Sequence, residues 1–181
     1  MVTAATARVT AEERAEIIEL YARYAWGLDL ADADMLLSAF AEDAEFDHLW
    51  QGRVKGHAAI LQNMQELWNN RQHWWFGRQH LFNHHLMERQ PDGAVKVRCF
   101  FQIVQFNVDY GTNFLFGIGT REDLCVAHGS RWVFKTLFIN GWRSQADVPW
   151  KGELKLVARP AGPAAAAASL PPGFKPPAGG R

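Results

Sequence analysis

The chain has 181 residues, 48% of them hydrophobic, and its 19 Lys and Arg residues balance its 19 Asp and Glu residues. This length and composition predict one globular domain with a sizeable core. Because the formal charge is zero and no basic run occurs, nucleic acid is not an expected partner, and no apolar stretch reaches the roughly 18 residues that a membrane span needs.

The cysteines and the first residues predict a cytoplasmic protein. Cys99 and Cys125 lie within apolar sequence and lack a Cys-x-x-Cys spacing, so we expect buried thiols in a reducing compartment. Residues 1–10 contain no apolar signal core. We therefore expect a protein that stays in the cytoplasm and does not bind membranes.

Residues 11–28 predict the first helix. Thr10 and Glu13 have the spacing of a capping box, and apolar side chains then recur at intervals of three and four residues. Tyr24 shares the apolar face of this helix. The first helix is therefore expected to carry a phenol toward the core.

Two shorter helices and one strand are expected next. Asp32 or Asp34 can cap a short second helix, and residues 44–49 have the alternation of a first strand. Gly52 marks a turn, and residues 56–68 carry apolar side chains at helical spacing. This part of the chain thus adds a second helix, a strand and a third helix.

From His80 onward the pattern changes to that of strands. We expect them over residues 80–88, 94–108, 112–120, 128–139 and 141–148. Turns are expected at Pro91–Gly93 and at Asn140–Gly141. Helices followed by strands predict an α+β fold, in which a curved antiparallel sheet wraps around the N-terminal helices and leaves a pocket between sheet and helices.

The composition changes beyond residue 150. Residues 151–181 are rich in Pro and Ala, and such a composition cannot build a core. We therefore expect a single domain over residues 1–150, followed by an extended C-terminal tail.

Asp29 and His80 are the candidate acid/base pair. A carboxylate and an imidazole brought together in an apolar pocket can move a proton near neutral pH without metal or cofactor. The structural alternatives are that Asp29 caps loop amides and that His80 is a core histidine donating to a backbone carbonyl.

Arg78 and Tyr24 are the next candidates. Arg78 alternates with His80 in strand geometry, so both side chains are expected to point the same way. A buried arginine needs an anion, which a substrate phenolate or carboxylate could supply, and so could Asp29. Tyr24 is either a core ring or a donor to a departing oxygen.

Several other residues are candidates for substrate binding. His84 is in phase with His80, whereas its neighbour His85 is not, so His84 is the better pocket candidate. The chain has eight Trp and twelve Phe residues, and rings crowded before His80 either fill the core or line a pocket for a flat aromatic ligand. The expected binding residues are His48, His84, Asn83, Trp75, Phe76, Arg98, Gln102 and Tyr110.

A metal site is a weaker alternative. His80 and His84 could bind a metal with Asp29 or Asp47 as a third ligand, but no recognised metalloenzyme spacing is present. We expect neither a metal nor another cofactor.

Four segments carry a family resemblance: Leu28-Asp29, Phe40–Ala44, the helix start at Gly56 and Gly141–Arg143. Residues 12–148 resemble the SnoaL-like branch of the nuclear transport factor 2-like superfamily. The resemblance implies a cone-shaped barrel, a small-molecule pocket and a homo-oligomer, either a dimer or a trimer.

The resemblance also implies roles for single residues. The spacing from Asp29 to His80 is similar to that of the acid/base dyad in hexachlorocyclohexane dehydrochlorinases and scytalone dehydratases. Tyr24 falls where bile-acid dehydratases carry an active-site tyrosine, and His48 lies where scytalone dehydratases have a tyrosine. All three kinds of enzyme catalyse eliminations without a cofactor, so the resemblance implies cofactor-free elimination chemistry.

In length and aromatic content the chain also resembles lyases acting on lignin-derived 1,2-diarylpropane-1,3-diols. That resemblance implies loss of a benzylic hydroxyl and release of formaldehyde to leave a stilbene. Asp29 and His80 would be the acid/base pair, Tyr24 would assist oxygen departure and Arg78 would stabilise phenolate charge. The alternatives are a dehydratase or isomerase of a polycyclic or steroid-like ligand, and a non-catalytic small-molecule-binding module.

Overall fold

A computed structural model describes residues 8–48, 52–69, 77–107 and 111–152. The chain divides into a unit that ends at Pro149 and a second unit that begins at Trp150. Nearly all of the expected tail lies outside the described residues, so the boundary between domain and tail stays a prediction. Within the described part of the chain, no helix is both long and apolar enough to cross a membrane.

Within the described residues, three α-helices precede most of a six-stranded sheet, which confirms the expected α+β class. The helices are α1 (Ala11–Leu30), α2 (Ala33–Leu37) and α3 (His57–Asn69). The strands are β1 (Phe40–His48), β2 (Gly52–Lys55), β3 (Arg78–Arg89), β4 (Val95–Asn107), β5 (Thr112–His128) and β6 (Arg131–Gly141). The sheet is curved and unclosed, as in the nuclear transport factor 2-like cone.

The strand order is β2-β1-β6-β5-β4-β3, and one pair of neighbours runs parallel. Strands β1 and β6 are parallel, whereas every other neighbouring pair is antiparallel. The expected antiparallel sheet therefore contains one parallel pair. A long stretch of chain separates β1 from β6, so no hairpin turn forces them to run in opposite directions.

The core lies between α1 and the sheet. The inward face of α1 buries Ile17, Leu20 and Tyr24 at the spacing of a helix. Phe46 of β1 and Phe134 of β6, each 0% exposed, belong to the same buried cluster. The capping box at Thr10 and Glu13 is formed, with the backbone N–H of each residue donating to the side chain of the other.

Gly27 allows α1 and α2 to pack closely. A Cβ atom at this position would lie 2.5 Å from the backbone nitrogen of Leu36. After it, Ala31 takes the left-handed conformation with φ 58°, and the N–H of Asp32 donates to the Gly27 carbonyl at 2.9 Å. This tight turn sets where the C-terminal end of α1 lies.

We expect Gly27→Ala to destabilise the protein by about 1–3 kcal/mol, because the added methyl group overlaps backbone that cannot move aside cheaply. The free energy of unfolding, measured in urea, checks this. Gly117→Ala is the matched control, since its Cβ would lie 4.0 Å from its nearest neighbour atom. An equal effect of both substitutions would contradict this account of Gly27.

The C-terminal strands differ from the expectation. Residues 112–128 form one continuous strand, and the following turn contains Gly129 with φ +61°. Asn140 and Gly141 do not form a turn, because they pair with Thr120 and Gly119 in the sheet. The strand expected over residues 141–148 was therefore wrong, since sheet pairing overrides the local turn preference of the Asn-Gly dipeptide.

A β-bulge interrupts β3 at its two adjacent histidines. The register with β4 shifts between Asn83 and Leu86, and His84 has a positive φ of 56°. His84 is exposed, whereas the ring of His85 packs edge-on against Tyr21 with centroids 4.7 Å apart. Because of the bulge, His84 faces outward and His85 faces the core, which is the opposite of what strand alternation predicts.

His85 makes stability depend on pH in mild acid. Burial, with Arg121 and His84 adding repulsion, holds the pKa of His85 below its usual 6.5. The unfolded chain therefore binds a proton that folded His85 does not, so the free energy of unfolding falls as the pH drops below 6.5.

We expect His85→Phe to flatten this pH dependence, because Phe keeps the ring contact and cannot titrate. Urea denaturation between about pH 5 and pH 8 measures it. His128→Gln, which changes an exposed histidine, is the control. A slope that is unchanged in His85→Phe would contradict the assignment.

Large apolar side chains remain exposed on the strands. Leu86, Phe100, Leu115 and Phe138 have exposed fractions of 62%, 44%, 59% and 45%. Exposed apolar patches of this kind often mark contacts between proteins. The homo-oligomer stays a prediction.

Candidate active site

A cavity of about 410 Å³ has walls from α1 and the curved sheet. Its polar lining groups belong to Tyr24, His48, Arg78, His80, Arg121 and Arg143. Aromatic rings of Phe82, Phe101, Phe116 and Trp142 form much of the remaining wall. Its volume and mixed lining are typical of a small-molecule site.

Asp29 and His80 are brought together at one side of this cavity. The Nδ1 atom of His80 lies 2.6 Å from Oδ1 of Asp29, and the backbone N–H of His80 donates to Oδ2 of Asp29 at 2.7 Å. The His80 and Asp29 side chains are 12% and 10% exposed. One carboxylate therefore fixes both the backbone and the ring of the histidine.

This pairing selects a tautomer of His80. An ionised carboxylate only accepts hydrogen bonds, so the ring proton of neutral His80 belongs on Nδ1. Nε2 is then the basic nitrogen, and Asp29 would stabilise the ring when Nε2 takes up a proton. The arrangement can both accept and return a proton.

Two aromatic side chains support the pair. The indole Nε1 of Trp68 in α3 donates to the Leu28 carbonyl at 2.8 Å, which holds the end of α1 next to Asp29. The ring of Phe82 is stacked near His80, with centroids 6.4 Å apart and an interplanar angle of 19°. Both contacts limit how the two catalytic candidates can move.

Arg78 and Tyr24 also line the cavity, in accord with the expected direction of Arg78. The Nε atom of Arg78 donates to Oε1 of Gln105 at 3.0 Å, and its guanidinium carbon lies 4.2 Å from the ring centroid of Phe116. Arg78 is 6% exposed and Tyr24 is 1% exposed. A positive charge and a phenol thus lie in the wall that contains His80.

Four of the expected binding residues lie away from this cavity. His84 is turned out by the bulge, and its Nδ1 lies 2.6 Å from Oδ1 of Asn83. Arg98 and Gln102 alternate with Cys99, Phe101 and Ile103, whose side chains face inward, so both fall on the outer face of β4. The expectations for His84, Asn83, Arg98 and Gln102 were therefore wrong.

His48 does line the cavity. Trp75, Phe76 and Tyr110 lie outside the described residues. Because His84 is on the outer face, the metal site considered for His80 and His84 is not formed. Among residues 8–48, 52–69, 77–107 and 111–152, no group of three or more His, Cys, Asp or Glu side chains is placed to bind a metal.

A second cavity, of about 610 Å³, lies beside the acid/base pair. Asp29 and Trp26 line it, and Arg78 and His80 line both cavities. Trp26 is 62% exposed, so this cavity has an aromatic residue at the surface. The Asp29 and His80 pair therefore lies between two cavities.

Arg121 is a lining residue that sequence reasoning missed. It lies on the buried face of β5 together with Asp123 and Cys125, at every second position. Two charged residues in phase with a buried cysteine are unusual on a core face. That alternation was the available signal, and the expected break in β5 after residue 120 concealed it.

Residues 9–137 match the model of the SnoaL-like domain family. The chain belongs to this family. No curated protein matches the chain in sequence. Membership in the SnoaL-like family confirms the superfamily expected from the sequence.

Solved structures share the fold of this SnoaL-like domain. ActVI-ORFA from Streptomyces coelicolor is 17% identical with a TM-score of 0.68, over 75% of this chain and 98% of that chain. A provisionally named scytalone dehydratase from Novosphingobium aromaticivorans is 18% identical with a TM-score of 0.60, over 72% and 85%. LinA is 19% identical with a TM-score of 0.60, over 72% and 86%. At such identities the likeness concerns the fold alone.

The Asp29 pairing predicts the protonation of His80 in solution. We expect ring ¹⁵N NMR spectra of neutral His80 to show the proton on Nδ1, and we expect Asp29→Asn to weaken that preference. His57 is an internal reference, because its Nε2 lies 3.0 Å from the Phe40 carbonyl and must carry the proton there. A wild-type His80 ring protonated on Nε2 would contradict the pairing.

Proposed function

We propose that the protein is a cofactor-independent lyase of a small aromatic substrate, with Asp29 and His80 as its acid/base pair. The observation that supports this most is the hydrogen-bonded Asp29 and His80 pair beside an aromatic-lined cavity. Electrostatic placement of this kind contributes much of the rate in such enzymes.

The substrate we propose is a lignin-derived 1,2-diarylpropane-1,3-diol. The rings of Phe82, Phe101 and Phe116 offer flat apolar surface to two aryl groups. Arg78 would favour negative charge on a phenolic oxygen of the substrate. The rings of Trp75 and Phe76 and the hydroxyl of Tyr110 remain proposed binding groups.

The reaction would proceed in two steps. The phenolate expels the benzylic hydroxyl, which leaves as water with a proton from protonated His80 while Tyr24 donates a hydrogen bond to the departing oxygen. A quinone methide results. Nε2 of His80 then takes the proton of the terminal hydroxyl, the carbon–carbon bond breaks, and its electrons restore the aromatic ring.

The atoms balance without an oxidant or reductant. Each diol gives one stilbene, one formaldehyde and one water, and His80 ends in the protonation state in which it began. No other group needs to accept electrons. The reaction therefore requires three groups from the protein: one that carries a proton, one that donates a hydrogen bond to the departing oxygen, and a cation near the phenolate.

Incubation of the protein with a 1,2-diarylpropane-1,3-diol, without added cofactor, should yield a fluorescent stilbene and an equal amount of formaldehyde. We expect His80→Ala and Asp29→Asn to lower kcat by about a hundredfold or more, because each removes part of the proton carrier. His128→Ala, at an exposed histidine, should leave kcat unchanged.

The product separates the alternatives. Recovery of unchanged diol would contradict the proposed substrate, and unchanged turnover in Asp29→Asn and His80→Ala would contradict the pair. Loss of water alone, or an isomer of the same mass from a polycyclic ligand, would favour a dehydratase or isomerase. Ligand binding without turnover of any such compound would favour a binding module.

A further inference from the structure

Arg121 is a buried cation that the proposed reaction does not use. Its side chain is 1% exposed, and its Nη2 lies 2.8 Å from Oδ2 of Asp123. Asp123 also accepts a hydrogen bond from the hydroxyl of Tyr21 at 2.5 Å. Within the part of the chain that the structure describes, Nε and Nη1 of Arg121 have no hydrogen-bond partner.

Four aromatic rings surround the guanidinium group of Arg121. Its carbon lies 4.6 Å from the ring centroid of Phe82, 4.7 Å from that of Tyr24, 4.9 Å from that of Tyr21 and 5.1 Å from that of Phe134. Burial lowers the pKa of Arg121, but the Asp123 carboxylate together with Tyr21, Tyr24 and Cys99 outweighs burial, so the net shift is upward and the group stays charged.

Stability does not explain a charge at this position. Replacing a buried ion pair with apolar residues of similar volume is often neutral or stabilising, because desolvation offsets the attraction between the charges. Buried N–H groups without partners add a further cost. A residue that is costly to the fold and close to a cavity points to a role in that cavity.

The ion pair is oriented toward the cavity. Arg121, Tyr24 and Phe82 are among the lining residues, whereas Asp123 is not among the described lining residues. The positive end of the pair therefore faces the cavity, with the rings of Tyr24 and Phe82 against it. A charge that is packed among apolar rings is screened less than a charge in water, so it acts over several ångströms.

We propose that Arg121 is a positioning residue that favours a negatively charged oxygen on the ring of the bound ligand, acting through the rings of Tyr24 and Phe82. This inference rests on the proposed function, since it concerns the cavity in which a phenolate would react. It adds to Arg78 a second cation, which does not touch the ligand.

Binding of 4-nitrophenol tests the proposal, because its phenol and phenolate forms absorb light differently. Spectral titration with the wild-type protein gives the affinity of each form. We expect the phenolate to bind about tenfold more tightly than the phenol. The Arg121→Met/Asp123→Asn double variant should reduce that preference by about threefold or more, while Arg78 supplies the rest. Arg121→Lys, which keeps the charge, should leave the preference unchanged.

Lys96→Met is the matched control, because it removes a cation from the outer face of β4 and should not change the preference. Arg121→Gln gives a neutral side chain that can still donate to Asp123, if the double variant does not fold. The same comparison with benzoate and benzamide shows whether a carboxylate is favoured as well as a phenolate.

Equal affinities of the two forms in the wild type, no binding of either form, or an unchanged preference in the neutral variants would each overturn the proposal. None of these measurements requires turnover. Failure of the diol reaction would therefore count against the proposed function and leave the result for Arg121 standing.

Discussion

The carboxylate of Asp29 joins the end of α1 to the start of β3, and the arrangement of the site depends on this junction. It accepts from both the backbone N–H and the ring of His80, a residue 51 positions away in the chain. The close packing at Gly27 and the indole of Trp68 determine where this end of the helix lies. Without the junction, neither the tautomer nor the direction of the imidazole would be fixed.

Two carboxylates hold side chains of the cavity wall in place through hydrogen bonds and ion pairs. Asp29 holds His80 and Asp123 holds Arg121, yet neither carboxylate is among the described residues that line the cavity of about 410 Å³. The groups that the ligand would meet are then bases, cations, a phenol and aromatic rings. Such a lining favours the phenolate form of a ligand, which is the form from which the proposed elimination begins.

The sequence was sufficient to predict the helices, the α+β class and the pair of Asp29 with His80, because hydrophobic periodicity and family spacing report on them directly. It was insufficient for His84, since a single extra residue in a bulge reverses every side-chain direction that follows from strand alternation. The turn preference of Asn140 was likewise overridden by a strand partner distant in sequence. The surroundings of Arg121 could not be predicted from the sequence, because its guanidinium group lies among aromatic rings contributed by α1, β3 and β6.

A crystal structure with bound 2,3-diarylpropan-1-ol, which lacks the benzylic hydroxyl and cannot form the quinone methide, tests the central claim most directly. The account predicts the ligand in the cavity of about 410 Å³, its hydroxyl about 2.6–3.2 Å from Nε2 of His80, and Nδ1 of His80 still bonded to Asp29. A ligand bound elsewhere, or a His80 ring turned so that Nε2 meets Asp29, would contradict it.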